Sequence, residues 1–385
     1  MDGDVAEAVR DTLARLLATR LAPARGLDLL FAGDLADRVA DFTLQGGRRG
    51  RPRLLWWSLR ACGGGDPAQV DAALRAGAAL ELLQTCALVH DDLMDDATTR
   101  RGRPALHTAV ARQYADRQPP RSAHRLGEAA AVLAGDLALA WADDVMTDLL
   151  LDAAALPPGA VQRIRDVWRT ARTEMVAGQY LDVQGQATGE STLNRALRAA
   201  CLKSALYSVE RPLQMGAALA GAGPSATQAL CRAGRCAGLA FQLRDDLDDL
   251  FADPAATGKP SGGDVREGKP TYLMAVARAR AAADPAALGV LRDSLGRADL
   301  TEEGLDRVRD VLTATGTRDL VREKVERLAR QALRHLAGAG LEPEPAAVLR
   351  TLLAELTGTR REAAERVGGL PFAAAFAAAG TEARR

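Results

Sequence analysis

The sequence predicts an all-α protein. Ala, Leu and Arg dominate the composition, and these residues lose little conformational freedom on entering a helix. Hydrophobic residues make up 48% of the chain and aromatic residues only 4%, so a sizeable core must come mainly from aliphatic side chains. The apolar positions recur at helical spacing, and no segment alternates between apolar and polar residues as a strand would.

Glycine and proline divide this pattern into separate helices. Loops are predicted at residues 118–122 and at the Gly/Pro-rich segment 253–270. In chain order, the predicted helices span residues 4–22, 28–44, 51–62, 67–97, 104–115, 126–154, 158–186, 191–222, 224–252, 271–283, 284–296, 301–315, 317–338 and 343–368. We expect residues 1–367 to form a single helical domain and residues 368–385 to be a flexible extension.

Charge, termini and cysteines narrow the functional classes. The 385 residues include 50 Lys plus Arg and 50 Asp plus Glu, so no net field favours nucleic acid as a partner. The acidic N-terminus does not resemble a signal peptide, and without a run of 18 apolar residues we expect no integral membrane contact. Five cysteines, an odd number in apolar helical surroundings, indicate reduced thiols in a cytoplasmic protein.

Two acidic clusters of the form DDxxD stand out, each at the end of an apolar helix. The first cluster consists of Asp91, Asp92 and Asp95, and the second consists of Asp245, Asp246 and Asp249. Carboxylates at i and i+4 share a helix face about 6 Å apart, and they repel unless a cation neutralises them. Mg²⁺ prefers such oxygen ligands together with substrate phosphates. One cluster alone is more often a solvated helix end, but two copies favour a metal–diphosphate site.

A third acidic pair does not fit this pattern. Asp143-Asp144 lacks an acidic residue at i+4, where Thr147 stands, and is predicted to lie at the surface.

Basic residues accompany both clusters. The segment RRGRP directly follows the first cluster, and GGRRGRP lies upstream of it. Lysine is scarce in this chain, yet Lys203 lies within a helix, and Lys259 and Lys269 flank the loop after the second cluster. Arginine grips diphosphate bidentately, whereas lysine acts as a compact point charge. Each basic residue alone is more often solvated, but together they predict two diphosphate sites, one bound through metal and one bound directly by arginine.

These motifs resemble the trans-isoprenyl diphosphate synthase (polyprenyl synthetase) family over residues 30–360. The matching segments, in family order, are GGRRGRP, LLQTCALVHDDLMDDATTRRGRP, AGDLALAWAD, GQYLDV, LKSALYS and GLAFQLRDDLDDLFADPAATGKPSGGDVREGKPTYL. The resemblance implies a helical bundle around a deep central cavity, with the two clusters facing each other across its mouth. It also implies a homodimer.

The resemblance assigns roles residue by residue. The aspartates of both clusters match the family's metal ligands, which hold three Mg²⁺ ions when diphosphate is bound. The matches to the allylic diphosphate site are Arg100, Lys203, Lys259 and Lys269. The matches to the isopentenyl diphosphate site are Arg48, Arg51, Gln84 and Arg101. The matches to residues near the reacting carbons are Gln179, Asp182 and Gln242.

Two positions depart from the family pattern. Arg48 stands where the family usually has lysine, and we expect this to change the fit of the site rather than abolish binding. Arg360-Arg361 is only a weak match to the basic C-terminus that helps to close the site in relatives.

The implied reaction joins isopentenyl diphosphate to an allylic diphosphate, which is dimethylallyl, geranyl or farnesyl diphosphate. Metal ions and basic side chains stabilise the departing diphosphate, and apolar helix walls keep water from the allylic cation. The resemblance implies that the residues most directly involved are Asp91, Asp92, Asp95, Lys203, Gln242, Asp245 and Lys259.

Product length is predicted from the residues that precede the first cluster. Leu83, Cys86 and Ala87 lie one to two turns before Asp91 and are expected to form the floor beneath the growing chain. Relatives that stop at fifteen carbons usually carry large aromatic residues there, or an insertion in the motif. The small residues found here favour the all-trans twenty-carbon product, geranylgeranyl diphosphate.

Other interpretations remain open at this point. A farnesyl or longer-chain polyprenyl diphosphate synthase would share the same motifs. A terpene cyclase shares the fold, but the second DDxxD and GGRRGRP argue against it. A non-catalytic partner subunit would usually have lost one cluster. A phosphohydrolase using His90-Asp91 would need further upstream histidines, which the sequence lacks.

Overall fold

The computed structural model describes residues 2–189, 192–253 and 261–358, and it confirms the all-α prediction. The first helices are α1 (Val5–Leu27), α2 (Leu29–Phe31), α3 (Asp37–Leu44), α4 (Gly50–Ala61), α5 (Pro67–Met94), α6 (Leu106–Tyr114), α7 (Pro120–Leu151) and α8 (Ala160–Thr188). They are followed by α9 (Leu193–Ala200), α10 (Arg211–Leu219), α11 (Pro224–Phe251), α12 (Gly263–Glu267), α13 (Tyr272–Arg280), α14 (Pro285–Ser294), α15 (Glu302–Ala314), α16 (Thr317–Ala337) and α17 (Pro343–Thr357). The predictions for Lys259, Arg360-Arg361 and residues 368–385 lie outside the described residues.

Helix α5 is the central helix of the first half of the chain. It begins at a capping box, in which Asp66 Oδ1 accepts from the Gln69 backbone N–H at 2.9 Å and Gln69 Oε1 accepts from the Asp66 N–H at 3.2 Å. Its middle is almost entirely buried because α4 and α7 pack against it. Burying leucines such as Leu82 stabilises the fold by about 2 kcal/mol each. The helix ends at Met94, so the first cluster lies at its C-terminal end.

Helix α11 has the same role in the second half. Leu230 and Ala233 pack in one apolar cluster with residues of α4, α10 and α17. Leu243 and Leu250, further along the same helix, pack in another apolar cluster with residues of α13, α15 and α16. The second cluster is therefore held on the last turns of a helix that is anchored on both sides.

The predicted helix over residues 191–222 is divided by a π-helical segment, Cys201–Glu210, between α9 and α10. This π-helical segment packs against α8 and α11. Gly238 of α11 permits the close approach, because a Cβ there would lie 2.6 Å from the Ala205 Cα. The wider turn changes which side chains share a face, and such segments often occur at functional sites.

Three local predictions are corrected by the structure. The helix α7 begins at Pro120, inside the predicted loop 118–122, because proline is well suited to the first turn of a helix. The predicted loop 253–270 contains α12. Thr99–Arg100 pairs with Arg103–Pro104 as a small hairpin that is too short to show alternation in the sequence.

Among the described residues, α5 alone has the length and apolar composition of a membrane-spanning helix. However, 78% of its apolar window is buried inside the protein, as in the core helix of a folded domain.

Candidate active site

Asp91 lies among three cationic or polar side chains from distant parts of the chain. Its Oδ1 accepts from Lys203 Nζ at 3.0 Å and from Gln179 Nε2 at 2.9 Å. Its Oδ2 lies 3.6 Å from an Arg100 guanidinium nitrogen. Burial opposes ionisation of Asp91, but the nearby charges, Lys203 above all, outweigh it and lower its pKa. Asp91 is therefore ionised and is tied to α8 and the π-helical segment.

Lys203 joins the first cluster to a further carboxylate. Its Nζ donates to Asp182 Oδ2 at 2.7 Å in addition to Asp91. Burial disfavours the charged amine, but Asp182 and Asp91 more than compensate and raise the pKa of Lys203. The predicted residues Lys203, Gln179 and Asp182 are thus brought together around Asp91.

Asp92 is the most buried carboxylate of the first cluster, with 1% of its surface exposed. Its Oδ1 accepts from Arg100 Nε at 2.6 Å. Its Oδ2 is buried and has no hydrogen-bond partner in the described part of the chain. Burial raises the pKa of Asp92 despite the contact with Arg100. Asp92 Oδ2 is therefore buried without a donor or cation to replace the water it loses on folding.

Asp95 connects the first cluster to the segment that follows the second. Its Oδ2 accepts from Lys269 Nζ at 2.9 Å, and Lys269 also contacts Glu267 at 2.7 Å. Burial raises the pKa of Asp95, while burial of Lys269 is outweighed by its acidic neighbours, first Asp264, so that the pKa of Lys269 is raised. This ion pair spans 174 residues of sequence, and it holds the first cluster against the segment 263–269, whose backbone also binds Asp249 of the second cluster.

The aspartates of the second cluster differ in their exposure to solvent. Asp245 is exposed, whereas Asp246 is only 5% exposed and accepts from Gln242 Nε2 at 2.9 Å. Burial, together with repulsion from Asp245, Asp182 and Asp249, raises the pKa of Asp246 to about 7. Asp182 therefore pairs with Lys203, the partner of Asp91, and also repels Asp246 of the second cluster.

Asp249 is held by backbone groups at the start of α12. Its two carboxylate oxygens accept from the N–H groups of Gly263 and Asp264, each at 3.2 Å. Burial nevertheless raises the pKa of Asp249. Burial also raises the pKa of Asp264, and repulsion from the nearby Asp249 raises it further. The second cluster thus contains more buried acid than its neighbours neutralise.

Replacing Asp246 with asparagine should stabilise the metal-free protein at pH 8. A carboxyl group whose pKa rises from 3.8 to about 7 on folding binds its proton more tightly in the folded state, so stability falls as the pH rises through that interval. The substitution removes this loss, and we expect a gain on the order of 1–3 kcal/mol at pH 8 and little change at pH 4. Urea unfolding at both pH values measures it, with the exposed Asp144→Asn as the control. An equal effect at both pH values would contradict the prediction.

A second group of cations consists of Arg48, Arg51 and Arg101, and Arg51 contacts the later residues of the π-helical segment. Arg51 donates to Ser208 Oγ at 2.7 Å, and its guanidinium lies 4.6 Å from the centroid of the Tyr207 ring. Tyr207 in turn donates to Gln84 Oε1 at 3.1 Å. Arg101 stacks over Phe42, and burial lowers its pKa. Arg51 and Gln84 are thus linked through one tyrosine. Arg48 is half-buried near the start of α4.

Backbone strain is concentrated at this site. Among the described residues, the non-glycine residues with positive φ are Arg49 (52°), Asp96 (50°) and Arg101 (53°). They lie in GGRRGRP, just after the first cluster and in the turn of the hairpin. A non-glycine residue with left-handed φ and ψ costs on the order of 1 kcal/mol, and it persists where the surrounding contacts hold that conformation.

The predicted floor residues are on the buried part of α5. Leu83 and Cys86 are buried and Ala87 is half-buried. The Cys86 sulfur lies 3.8 Å from His90 Nδ1, and His90 Nε2 lies 3.1 Å from the Val132 carbonyl oxygen. His90 therefore ties α5 to α7 just before the first cluster.

Several residues of the site were not singled out from the sequence. These are Arg49, Glu81, Ser204, Tyr207, Ser208 and Asp264. Glu81 gave a usable signal, since it is the only charged residue in the apolar stretch before Asp91. The prediction that Asp143-Asp144 lies at the surface holds for Asp144, whereas Asp143 is half-buried and accepts from Trp168 Nε1 at 2.7 Å.

The acidic residues do not form a ready-made metal cage. In the described ranges, no three Asp, Glu, His or Cys side chains converge closely enough to hold an ion by themselves. The donor set still fits Mg²⁺, which typically takes one or two protein carboxylates and completes its octahedron with phosphate oxygens and water. The unpartnered Asp92 Oδ2 and the incompletely neutralised Asp246 are the groups that such an ion would satisfy.

Comparisons with known proteins show which family this chain belongs to. The family model described as polyprenyl synthetase matches residues 34–312. The geranylgeranyl diphosphate synthase of Methanosarcina mazei is 31% identical over 72% of this chain and 75% of its own length. The farnesyl diphosphate synthase of Geobacillus stearothermophilus is 34% identical over 71% of this chain and 83% of its own.

A solved structure is similar over nearly the whole chain. It is the geranylgeranyl pyrophosphate synthase from Corynebacterium glutamicum, complexed with isoprenyl diphosphate and magnesium. The two structures align with a TM-score of 0.84 and 35% sequence identity, covering 92% of this chain and 99% of the other. The resemblance inferred from the motifs is confirmed, and the chain belongs to the polyprenyl synthetase family.

Proposed function

We propose that this protein is a Mg²⁺-dependent trans-prenyltransferase that adds isopentenyl diphosphate to an allylic diphosphate. The observation that carries the proposal is the Lys269–Asp95 ion pair, because it holds the first cluster against the segment whose backbone N–H groups bind Asp249 of the second cluster. The magnesium in the related Corynebacterium glutamicum structure supports the choice of metal. Dimethylallyl, geranyl and farnesyl diphosphate are the allylic substrates that we propose.

The aspartates of both clusters are the residues that would hold three Mg²⁺ ions once diphosphate is bound. Bound Mg²⁺ would neutralise the charge that develops on the departing diphosphate. Lys203 and Lys269 add fixed positive charge beside the aspartates, and Arg100 orients Asp92. We assign the same function to Lys259 from the family motif.

The second group of cations suits a diphosphate bound without metal. Arg48, Arg51 and Arg101 supply guanidinium groups, and Gln84 is linked to Arg51 through Tyr207. We assign Gln179, Asp182 and Gln242 to the region of the reacting carbons from the family motif, and their contacts with Asp91, Lys203 and Asp246 support this. Holding both substrates in this way converts a bimolecular encounter into an oriented one.

One assay tests the proposal and separates it from the alternatives. Purified protein is incubated with Mg²⁺, isopentenyl diphosphate and each allylic diphosphate in turn, and the products are sized by chromatography. We expect linear diphosphates in the complete mixture and no turnover without isopentenyl diphosphate. Release of hydrocarbon from the allylic substrate alone would indicate a cyclase. No turnover in any mixture would contradict the proposal.

We propose geranylgeranyl diphosphate as the main product, since Cys86 and Ala87 are small. The relatives include both geranylgeranyl and farnesyl diphosphate synthases, so product length is the finer part of the proposal. Cys86→Phe and Ala87→Phe should each shift the main product to fifteen carbons or fewer. Leu320→Phe, on α16, is the matched control and should leave product length unchanged. If neither α5 variant shortens the product, the floor lies elsewhere.

We further propose a cytoplasmic homodimer. Exposed apolar side chains on α7 and α8 support it, since contact with a second copy would remove them from water. They are Leu126, Val132, Leu133, Val176 and Tyr180. All five cysteines are free, as a reducing compartment requires. Light scattering should give twice the chain mass of 40.6 kDa, and a monomer at micromolar concentration would contradict the assignment.

A further inference from the structure

A buried ion pair is formed by a residue of the segment GGRRGRP, the arginine that directly follows Arg48. Arg49 and Glu81 are only 5% and 7% exposed, and an Arg49 guanidinium nitrogen donates to Glu81 Oε2. The other terminal nitrogen of Arg49 donates to the carbonyl oxygens of Thr43 and Leu44, each at 2.9 Å. Buried charges are costly unless they are paired and hydrogen-bonded, and here both conditions are met. Three hydrogen bonds from one guanidinium therefore fix the position of the Arg49 backbone.

The backbone at Arg49 connects this pair to the cations themselves. Arg49 is the N-cap of α4 and has left-handed φ and ψ of 52° and 42°. Arg48 precedes it, and Arg51 follows two residues later in the first turn of α4. Because the backbone is held at Arg49, Arg48 and Arg51 are attached to the chain at fixed positions.

The partner carboxylate, Glu81, links the Arg49 segment to the part of α5 that carries Gln84. Glu81 lies on α5 one turn before Gln84, on the same helix face. A second link lies alongside, since Thr43 and Thr85 share a hydrogen bond of 2.8 Å. The segment GGRRGRP is thus locked in one register against α5.

The Arg49–Glu81 pair also neutralises the negative charge of Glu81 beside the second group of cations. Glu81 lies close enough to Arg101 to favour its charged form, while Arg49 and Arg51 disfavour it. An unpaired Glu81 would cancel one of the positive charges that attract a diphosphate.

We propose that Arg49 and Glu81 are positioning residues for isopentenyl diphosphate: the pair fixes the spacing of Arg48 and Arg51 relative to Gln84 and keeps Glu81 neutralised. Neither side chain needs to touch the substrate. The inference rests on the proposed function and adds to it the element that makes the second diphosphate site rigid.

Arg49→Lys separates charge from geometry. Lysine keeps the positive charge near Glu81 but lacks the planar fork that reaches both carbonyls. We expect KM for isopentenyl diphosphate to rise about tenfold or more, while KM for the allylic substrate and kcat stay within about twofold. Steady-state kinetics with each substrate varied in turn measures the split.

The double variant Arg49→Met/Glu81→Leu separates positioning from folding. Removing both buried charges should keep or raise the melting temperature. KM for isopentenyl diphosphate should nevertheless stay at least tenfold above that of the wild type, since the register is no longer fixed. A double variant with the wild-type KM, or an equal rise in KM for both substrates in Arg49→Lys, would overturn the inference while leaving the proposed function intact. A wild-type protein that cannot use isopentenyl diphosphate would overturn both.

Discussion

Asp91→Asn should lower kcat on the order of 10³-fold while the fold is retained. The substitution keeps the shape and the hydrogen-bonding oxygen that faces Lys203 and Gln179, but it removes the negative charge. Nearby cations, Lys203 above all, outweigh burial and lower the pKa of Asp91, so the variant removes a charge that the site stabilises. Losing one preorganised electrostatic group at a reacting centre costs about 10²–10³-fold, and loss of a metal ligand belongs at the upper end.

Turnover with saturating substrates at several Mg²⁺ concentrations measures this effect. Asp144→Asn is the matched control, because it makes the same chemical change at an exposed position on α7. Circular dichroism should give similar melting temperatures for both variants. An Asp91→Asn enzyme with more than a tenth of wild-type turnover would be incompatible with a metal-binding function for the first cluster.

Lys269→Met should reduce kcat/KM for the allylic diphosphate on the order of 10²-fold. Lys269 is the cation that joins Asp95 to Glu267 at the start of the segment after α12. Methionine preserves most of the side-chain volume and removes the charge, so the carboxylates repel and the diphosphate loses a fixed partner. Because Lys269 contacts no residue of the second group of cations in the described structure, KM for isopentenyl diphosphate should change little.

Lys324→Met is the control for this variant. Lys324 contacts the ring and hydroxyl of Tyr272 and no aspartate of either cluster in the described ranges. It should retain wild-type kinetics. Parallel losses for both substrates in Lys269→Met would indicate general disruption of the site and would contradict the assignment of Lys269 to the allylic side.

The two helix ends were predictable because their signals are local. The i,i+4 spacing in each DDxxD placed the carboxylates on helices, and the apolar stretches before them predicted that those helices are buried. The basic segments after the first cluster and around residue 48 were also visible as patterns. In each case a few neighbouring residues contain all the information.

The contacts between these elements were not predictable in the same way. The sequence placed Lys269 near the second cluster, but its hydrogen bond to Asp95 depends on tertiary packing across 174 residues. Glu81 stands out in the sequence as a charged residue in an apolar stretch, but its partner Arg49 is set by tertiary packing across 32 residues. The π-helical turn between α9 and α10 had no local signal, since residues 201–210 suit an α-helix equally well.

The π-helical segment Cys201–Glu210 has a consequence for how the two substrates would meet. Lys203, at one end, contacts the first cluster, while Tyr207 and Ser208, one turn further on, contact Gln84 and Arg51. One π-helical segment thus contacts both groups of residues, and in the proposed reaction its backbone would set the gap between the leaving group and the attacking alkene. Under the proposed function, changes at Cys86 and Ala87 would then alter product length without altering the distance over which the new carbon–carbon bond forms.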